Sequence, residues 1–393
     1  MVYLIIILLS VVLSYHYDII GKRLYRDQWY LFMLVIFILL AGLRWRVGRD
    51  TVNYLFNFYH EYPSLDNFSL EEYPLGRDPL YVLLNSVVKS LGGRFYVIQL
   101  IHAAFVNTLL FIYIKRHSKY IFTCIFFYAI WFYLGYSMEI MRGSMSIVIC
   151  LYANDFLLEK NWIKGFLLYF IAFLFHAQTF VIFITPLLFF LRLNRFGLLI
   201  LGVSIFVGFF IGGLIIEYFG LFELNDAIKG KAIGYSATDS LGASRSITGI
   251  VGVVIFVLTA LFSLWRLKRN NPFCHLLCLE PCMMLFFIMQ FFSIGLVLFY
   301  RYVEYYQIYA VFLYAELFVS IAKEKKYGRC LAFFRAFAIN ILLFIAIYAG
   351  YFGSAKTYVK YYPYSTVIDR TQNAEREKYF EQDWWSKAKD YEY

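Results

Sequence analysis

Charged residues are scarce in this sequence of 393 residues, because Asp, Glu, Lys and Arg together make up only 16% of it. A soluble globular protein carries about a quarter charged residues, so this composition excludes an ordinary soluble enzyme. Hydrophobic residues reach 62% and aromatic residues 22%, and the mean hydropathy is +0.64. The net charge of +10 lies mostly in short connectors between apolar runs, which favours membrane topology over nucleic-acid binding as its cause. The sequence therefore predicts an all-α polytopic integral membrane protein.

Several motifs of soluble enzymes are also missing. The chain has no Walker loop and no GxSxG, HExxH or GxGxxG segment, so an ATP-driven or soluble-cofactor enzyme finds no support. The six cysteines lie in or beside apolar runs and match no zinc-binding spacing. We therefore predict no metal and no cofactor. No basic segment precedes Val2–Ser14 and no small-residue cleavage site follows it, which indicates a retained first span.

Apolar runs that approach the ~20 residues of a membrane span recur along the chain. They are residues 2–20, 29–43, 95–114, 120–137, 139–157, 197–218, 247–265, 275–297, 303–322 and 331–350. The run 162–191 is too long for one ordinary span and short for two.

Basic connectors between these runs predict their orientation. They are residues 22–26, 115–119, 160–164, 192–195, 266–269 and 323–329. Cytoplasmic loops carry the excess of Lys and Arg. All of these connectors are cytoplasmic only if the run 162–191 enters the membrane and returns, as a hairpin or re-entrant pair that turns near His176.

This orientation predicts about twelve transmembrane or half-membrane helices, with both termini outside. Residues 1–350 would form a single multi-span membrane domain with two longer periplasmic loops, 44–94 and 219–245. Residues 351–393 would form an extramembrane tail. The remaining polar clusters then all fall on the external face.

The first external loop begins with arginines directly behind a predicted span, at Arg44, Arg46 and Arg49. Arginine is costly near hydrocarbon, and its planar fork suits phosphate or carboxylate. Gly48 lets the backbone turn close to a ligand. Taken alone, the segment has two equally favoured interpretations. It binds an anionic substrate, or it anchors the loop to lipid headgroups while Asp50 forms an ion pair with an arginine.

Two further external segments carry charge. Asp78 precedes Pro79 and is therefore expected to be a helix N-cap, whereas Arg77 beside it has no such structural explanation. Glu139 and Arg142 stand three residues apart at the end of a span and can form a salt bridge. An arginine this close to the bilayer is also a functional candidate.

The last candidates are a histidine and an aromatic segment. A lone histidine is more often structural than catalytic, but His176 sits at the predicted turn, where irregular backbone is tolerated if it lines a cavity or is buried in protein. Arg301 stands with Tyr302 and Tyr305 at the start of a span. Tyrosine suits a membrane-interface belt or the face of a sugar, and the arginine suits phosphate.

In this order, these segments resemble the EpsG family, the Wzy-type polymerases of bacterial exopolysaccharide, capsule and O-antigen. Residues 44–50 followed by Tyr54 are similar to the family's R-(Y/F)-x-V-G-x-D-x-x-x-Y segment, and Met141-Arg142 is similar to its M-R-Q segment. Phe175-His176 is similar to its F-H-x-(S/T) segment, and Arg301 before Tyr305 to its late R-x-x-x-Y segment. Three positions depart from the family pattern: Gly143 after the arginine, Gln178, and the segment Arg77-Asp78-Pro79-Leu80 in place of a Glu-Pro-Gly-like segment.

The resemblance implies a membrane glycosyltransferase that joins oligosaccharide repeat units carried on undecaprenyl pyrophosphate, at the external face of the bacterial inner membrane. Arginines would bind the departing diphosphate: first Arg44, Arg142 and Arg301, then Arg46, Arg49 and Arg77. His176 is the first candidate for proton acceptor because imidazole titrates near neutral pH, followed by Asp50 and Glu139. The loop-shaping and sugar-contacting candidates are Gly48, Tyr54, Tyr302 and Tyr305.

The expected partners are the lipid-linked donor and acceptor and the bilayer, with a chain-length regulator left open and no nucleic acid. An O-antigen ligase would use similar residues. Another membrane glycosyltransferase would be expected to show an acidic pair near the first external loop, and Asp50 and Asp78 keep that alternative open. A flippase or other transporter would instead place polar residues near mid-bilayer and show an internal repeat. No such repeat is evident, and the polar clusters gather on one face.

Overall fold

The computed structural model describes residues 2–48, 50–73, 77–208, 247–295, 299–323 and 357–382. Within these ranges the chain forms helices and no strand, which confirms the all-α prediction. Four helical segments are long and apolar enough to cross a membrane: Val2–Ile19, Phe95–His117, Val251–Asn270 and His275–Ile294. The predicted span 331–350, the predicted loop 219–245 and Arg49 lie outside the described residues.

The α-helices in chain order are α1 Val2–Leu13, α2 Arg26–Gly42, α3 Thr51–Phe56, α4 Pro79–Ser90, α5 Phe95–His117, α6 Ile121–Trp131, α7 Met141–Leu158, α8 Trp162–Phe175, α9 Arg195–Phe206, α10 Ile247–Asn270, α11 Glu280–Gly295, α12 Tyr300–Val303, α13 Gln307–Ala322 and α14 Ala374–Gln382. The π-helical segments are Ser14–Ile19, Asn57–Glu61 and Gly135–Glu139, and the 3-10 segments are Leu65–Asn67, Ala177–Leu188, His275–Leu279 and Thr357–Lys360.

The chain divides into two compact units. The first comprises Met1–Phe183 together with Ala355–Tyr393, and the second comprises Ile184–Ser354. The C-terminal segment therefore packs with the N-terminal half of the chain.

Aromatic side chains fill much of the first unit's interior. Phe37 of α2 is fully buried, and its ring lies 5.4 Å from that of Phe111, 5.8 Å from Tyr128 and 4.5 Å from Tyr133. The hydroxyl of Tyr133 donates to the Phe37 carbonyl at 2.7 Å. Aromatic pairs of this kind stabilise a core beyond their buried area, which is consistent with the high aromatic content.

Basic connectors meet at one end of the first unit. Arg26 Nη2 donates to the Lys119 carbonyl at 2.9 Å, and Lys115 Nζ lies 2.7 Å from Asp27 Oδ1. Arg116 Nη2 lies 3.4 Å from Glu159 Oε1, directly before the third connector. Helices α2 and α8 begin at this end, whereas α5 and α7 finish there. The opposite ends of the same four helices carry Gly42, Phe95, Met141 and Phe175.

The second unit gathers two further basic connectors around one acid. Glu280, buried at the start of α11, accepts from Lys268 Nζ at 2.6 Å and from the Leu193 amide at 2.6 Å. Buried carboxylates need such partners. Two connectors that the charge pattern assigns to the same face thus lie together.

The run 162–191 contains the predicted turn. Helix α8 ends at Phe175, His176 has an extended backbone with φ −154° and ψ 113°, and a 3-10 segment begins at Ala177. Aromatic rings pair across the turn. The ring centroids of Phe166 and Phe183 are 6.2 Å apart, as are those of Phe173 and Phe180. The chain therefore doubles back at His176, which places this side chain at the end of unit 1 opposite its basic connectors.

Candidate functional site

Arg44 lies in the interior of the first unit. Its guanidinium donates to three backbone carbonyls, at 3.2 Å from Nε to Val47, at 3.2 Å from Nη2 to Met138, and from Nη1 to Ala41. Its exposed fraction is 0%, and burial lowers its pKa to about 10, so it remains cationic at neutral pH. These contacts tie the loop behind α2 to the segment before α7. In this arrangement Arg44 holds backbone rather than facing a ligand, contrary to the position expected for a diphosphate-binding residue.

Gly48 occupies a position that only glycine suits. Its φ of +100° is in the left-handed region, and a Cβ added there would stand 2.7 Å from the Met138 carbonyl oxygen. Side chains with a Cβ avoid such a conformation. Thr51 caps the same turn by donating from Oγ1 to the Val47 carbonyl at 2.7 Å. The loop 44–51 can therefore lie directly against Met138.

Three charged or titratable groups from distant segments meet beside this loop. Arg142 Nη1 lies 2.7 Å from Asp78 Oδ2, and His176 Nδ1 lies 3.7 Å from the same oxygen. Asp78 Oδ1 accepts from the Ala177 amide at 2.7 Å. One carboxylate thus binds the first turn of α7 and the turn after α8. We call Asp78, Arg142 and His176 the triad.

Asp78 has a role that its local sequence did not indicate. It precedes Pro79 at the start of α4 as predicted, but its φ is +55° and its side chain makes no capping hydrogen bond to α4. The carboxylate points instead to partners 64 and 99 residues away in sequence. The expectation that Asp78 is only a helix cap is therefore wrong.

Glu139 also differs from its prediction. It ends a π-helical segment, whereas Arg142 is on the following helix, so the two are not on one helix face. The carboxylate paired with Arg142 is that of Asp78, and Glu139 accepts from the Tyr361 hydroxyl. The predicted salt bridge between Glu139 and Arg142 is thus replaced by a longer-range one.

An aromatic wall borders the triad. The Arg142 Cζ atom lies 5.7 Å from the centre of the Tyr54 ring, within the range of a cation–π contact. Tyr54 and Tyr62 both present their rings edge-on to Tyr81, at 5.9 and 6.2 Å. Burial, opposed by the positive charge of Arg142, raises the pKa of Tyr54, so this phenol stays neutral.

Polar atoms at the triad are left without partners. Arg142 Nε and the Tyr81 hydroxyl are buried and make no hydrogen bond within the described part of the chain, whereas His176 Nδ1 faces Asp78 Oδ2. Buried polar atoms are normally paired, so these two groups are available to a ligand. The Arg142 side chain is 33% exposed, which gives that ligand access.

The charge of Asp78 is set by opposing effects. Burial raises its pKa, but the neighbouring His176, the Arg142 guanidinium and the Ala177 amide together hold the pKa below its ordinary value. The carboxylate is therefore ionised at neutral pH. It pairs with the Arg142 guanidinium and lies 3.7 Å from His176 Nδ1.

The other arginines of the loop segments are placed differently. Arg46 is 6% exposed and its Nε lies 2.8 Å from Glu377 Oε1 of α14. Arg77 is exposed and donates weakly, at 3.4 Å, to the Glu72 carbonyl. Asp50 precedes α3 and is half-buried without capping it. Within the described residues, none of these three side chains pairs with the Asp78 carboxylate.

Arg301, Tyr302 and Tyr305 belong to the second unit. Arg301 Nη1 lies 3.9 Å from Glu304, and both tyrosines are buried. The next tyrosine, Tyr306, donates to Thr185 Oγ1 at 2.6 Å. Arg301 therefore has a cationic group partly exposed, and its assignment to a diphosphate stays a prediction.

Comparison with known proteins gives one assignment. The EpsG family model matches residues 27–366, a range that includes the triad, the loop 44–51 and Arg301. No curated protein matches the chain, and neither does any solved structure. Because the family match covers most of the chain, this protein belongs to the EpsG family, a family of Wzy-like polymerases.

Proposed function

We propose that this protein polymerises oligosaccharide repeat units carried on undecaprenyl pyrophosphate, at the external face of the bacterial inner membrane. The observation that carries the proposal is the triad, in which one buried carboxylate links a partly exposed arginine to a histidine. The product would be an O-antigen, capsule or exopolysaccharide chain. Neither a metal nor a cofactor enters the proposed reaction.

In the proposed reaction, a hydroxyl of the acceptor repeat unit attacks the anomeric carbon of the donor chain. The new glycosidic C–O bond forms as the bond between the anomeric carbon and the diphosphate oxygen breaks. Undecaprenyl pyrophosphate leaves with the bonding electron pair, so no nucleotide is required. The hydroxyl proton must pass to a base.

Arg142 is assigned to the diphosphate. Its Nη1 is committed to Asp78, while Nε is unpaired and the guanidinium carries further N–H groups. These donors can bind phosphate oxygens as negative charge develops on the leaving group, which lowers the barrier electrostatically. Arg301 remains a second candidate for this role on the strength of the family segment alone.

His176 is assigned to the proton. Its Nδ1 lies 3.7 Å from the ionised Asp78 Oδ2, which favours the tautomer with the hydrogen on Nδ1. Nε2, 3.1 Å from the side-chain amide of Gln178, is then the nitrogen assigned to take up the proton. The negative carboxylate behind Nδ1 would stabilise the imidazolium, as in other histidine–carboxylate pairs.

The test is polymer synthesis by purified protein in liposomes that contain lipid-linked repeat units. We expect Arg142→Ala to abolish chain elongation and His176→Ala to reduce it by about 100-fold or more, the usual contribution of a general base. Exposed Arg23→Ala, at the basic end, is the matched control. Normal polymer length and amount from Arg142→Ala would refute the diphosphate role, and full activity of His176→Ala would remove this residue from the mechanism.

The same liposomes test the competing functions. A ligase would transfer a chain to a different acceptor without elongating it. A transporter would move lipid-linked units across the bilayer without forming a glycosidic bond. The triad favours group transfer over transport because its groups form a compact cluster at one end of the helices rather than a series along them.

A further inference from the structure

Residues 357–382, which we call the C-terminal strap, pack on the loop 44–51, which we call the arginine loop. Arg44 and Thr366 form an antiparallel bridge. The Trp45 amide donates to the Ser365 carbonyl and the Val367 amide to the Leu43 carbonyl, each at 2.9 Å. The strap therefore supplies backbone partners for the residues on both sides of Arg44.

A second set of contacts holds the far side of the loop. The Gly48 amide donates to the Lys360 carbonyl at 3.0 Å. The Tyr361 hydroxyl donates to the Glu139 carboxylate, directly before the helix that carries Arg142. Burial, and then the negative charge of Glu139, raise the pKa of Tyr361 well above its ordinary value, so it stays a donor. The strap thus contacts both elements that lie beside the triad.

Two charged residues of α14 fasten the strap in place. Arg376 is 1% exposed and donates from Nε to the Val359 carbonyl at 2.9 Å, to the Pro363 carbonyl, and from Nη1 to the Arg46 carbonyl at 3.3 Å. Glu377 binds the Arg46 guanidinium with both carboxylate oxygens. Bidentate pairs between arginine and carboxylate are among the strongest and most directional side-chain contacts.

These contacts indicate a permanent support rather than a removable lid. Lifting the strap would break backbone hydrogen bonds at Trp45 and Gly48 and would separate the buried Arg376 from the Arg46 carbonyl. A segment that opens in each reaction cycle is held by few buried contacts. The strap instead combines a backbone bridge, a buried arginine and a bidentate ion pair.

We propose that Arg376 and Glu377 are positioning residues, which fix the arginine loop and, through Met138 and Glu139, the start of the helix that bears Arg142. This inference rests on the proposed function for its activity readout. A displacement of about 1 Å at a reacting group costs about 100-fold in rate, so loss of the strap should lower turnover while the triad residues themselves are intact.

The first experiment compares Glu377→Ala with the matched control Glu375→Ala, an exposed acid in the first turn of the same helix. Hydrogen exchange at the loop peptide 43–48 is measured in the full-length protein, together with kcat and KM for the lipid-linked repeat unit. We expect Glu377→Ala to speed exchange of the loop and to reduce kcat about tenfold or more, with KM changed less. Glu375→Ala should match the wild type in all three.

A charge exchange makes the test specific. Arg46→Glu alone should resemble Glu377→Ala, and the double variant Arg46→Glu with Glu377→Arg should recover slow exchange and at least half of the lost turnover. Unchanged exchange and unchanged kcat in Glu377→Ala would overturn the inference, as would increased activity, which would make the strap an inhibitory lid. A wild-type protein that shows no elongation would instead refute the proposed function, and the exchange measurement would still test the strap.

Discussion

Replacement of Asp78 by asparagine tests the centre of the candidate site. The side chains are nearly the same size, so the substitution removes charge with little change in volume. The amide oxygen can still accept from the Ala177 amide, as Asp78 Oδ1 does at 2.7 Å. The amide nitrogen, however, would face Arg142 Nη1, where an acceptor now lies at 2.7 Å. The substitution therefore affects Arg142 and His176 while leaving the backbone contact in place.

The expected magnitude follows from the contact that is lost. A hydrogen bond to a charged group contributes about 1.5–3 kcal/mol. Asp78 is buried, but the Arg142 side chain is 33% exposed, and solvent screens the pair, so the lower part of this range applies. A loss of about 2 kcal/mol expressed fully in the transition state is roughly a 30-fold fall in rate. Loss of the charge that faces His176 would add to this effect.

The assay is chain elongation in liposomes, with thermal unfolding of the detergent-solubilised protein measured in parallel. Asp66→Asn is the matched control, because Asp66 is an exposed acid in the same predicted loop, residues 44–94. We expect Asp78→Asn to elongate chains about 30-fold more slowly or worse, whereas Asp66→Asn behaves as wild type. Wild-type elongation by Asp78→Asn would refute the proposal that this carboxylate orients the site.

The pH dependence provides a second check on the same residue. The folded-state pKa of Asp78 is lowered, so its ionised form is preferentially stabilised by folding. Its contribution to stability is thus complete above the ordinary aspartate pKa and is lost as the pH falls through the lowered value. Asp78→Asn should remove this part of the acid-induced loss of stability, which a comparison of unfolding temperatures between neutral and acidic pH will measure.

Two further predictions concern the loop 44–51. Gly48→Ala should destabilise the protein by at least about 1–2 kcal/mol from the left-handed backbone alone, and its Cβ would also clash with the Met138 carbonyl. Thermal unfolding measures this loss of stability. Gly135→Ala is the control, because its Cβ would meet nothing within 4 Å. Arg44→Lys should lower the unfolding temperature, because one ammonium group cannot serve three separate carbonyls and each unpaired buried group costs about 1–3 kcal/mol. If Arg44→Lys is instead stable but raises KM for the lipid-linked donor, Arg44 binds substrate.

The sequence predicted the helical architecture because its signals are local. Apolar runs and basic connectors mark the ends of helices, and the position of the turn at His176 followed from charge alone. The contacts among Arg26, Lys115 and Arg116 agree with that pattern, since they bring three connectors to one end of the first unit. Because basic connectors alternate with other polar segments along the chain, the same pattern predicts that the segments carrying Arg142 and His176 lie at the opposite end, where the triad is found.

The partners of the arginines could not be predicted in the same way. An arginine behind a membrane span has the same local pattern whether it faces a phosphate or a set of backbone carbonyls, and only the fold shows that Arg44 does the latter. The long-range contacts of Asp78 were not predicted, because helix capping already accounts for an Asp-Pro pair at a helix start. The strap lacks apolar periodicity, so its packing against residues more than 300 positions away had no sequence signal.

The arginines of the family segments differ in their contacts and exposure. Arg44 has its donors committed to carbonyls and Arg46 is fastened to Glu377, whereas Arg142 keeps an unpaired Nε and a third of its side chain exposed. A diphosphate reaching Arg142 would find Asp78 already on Nη1, so the cation must serve two anions at once. A planar guanidinium with five N–H groups can do this, while a lysine ammonium acts as a single point charge. In the proposed reaction, holding the orienting carboxylate and the leaving diphosphate together would therefore require arginine, rather than lysine, at the first turn of α7.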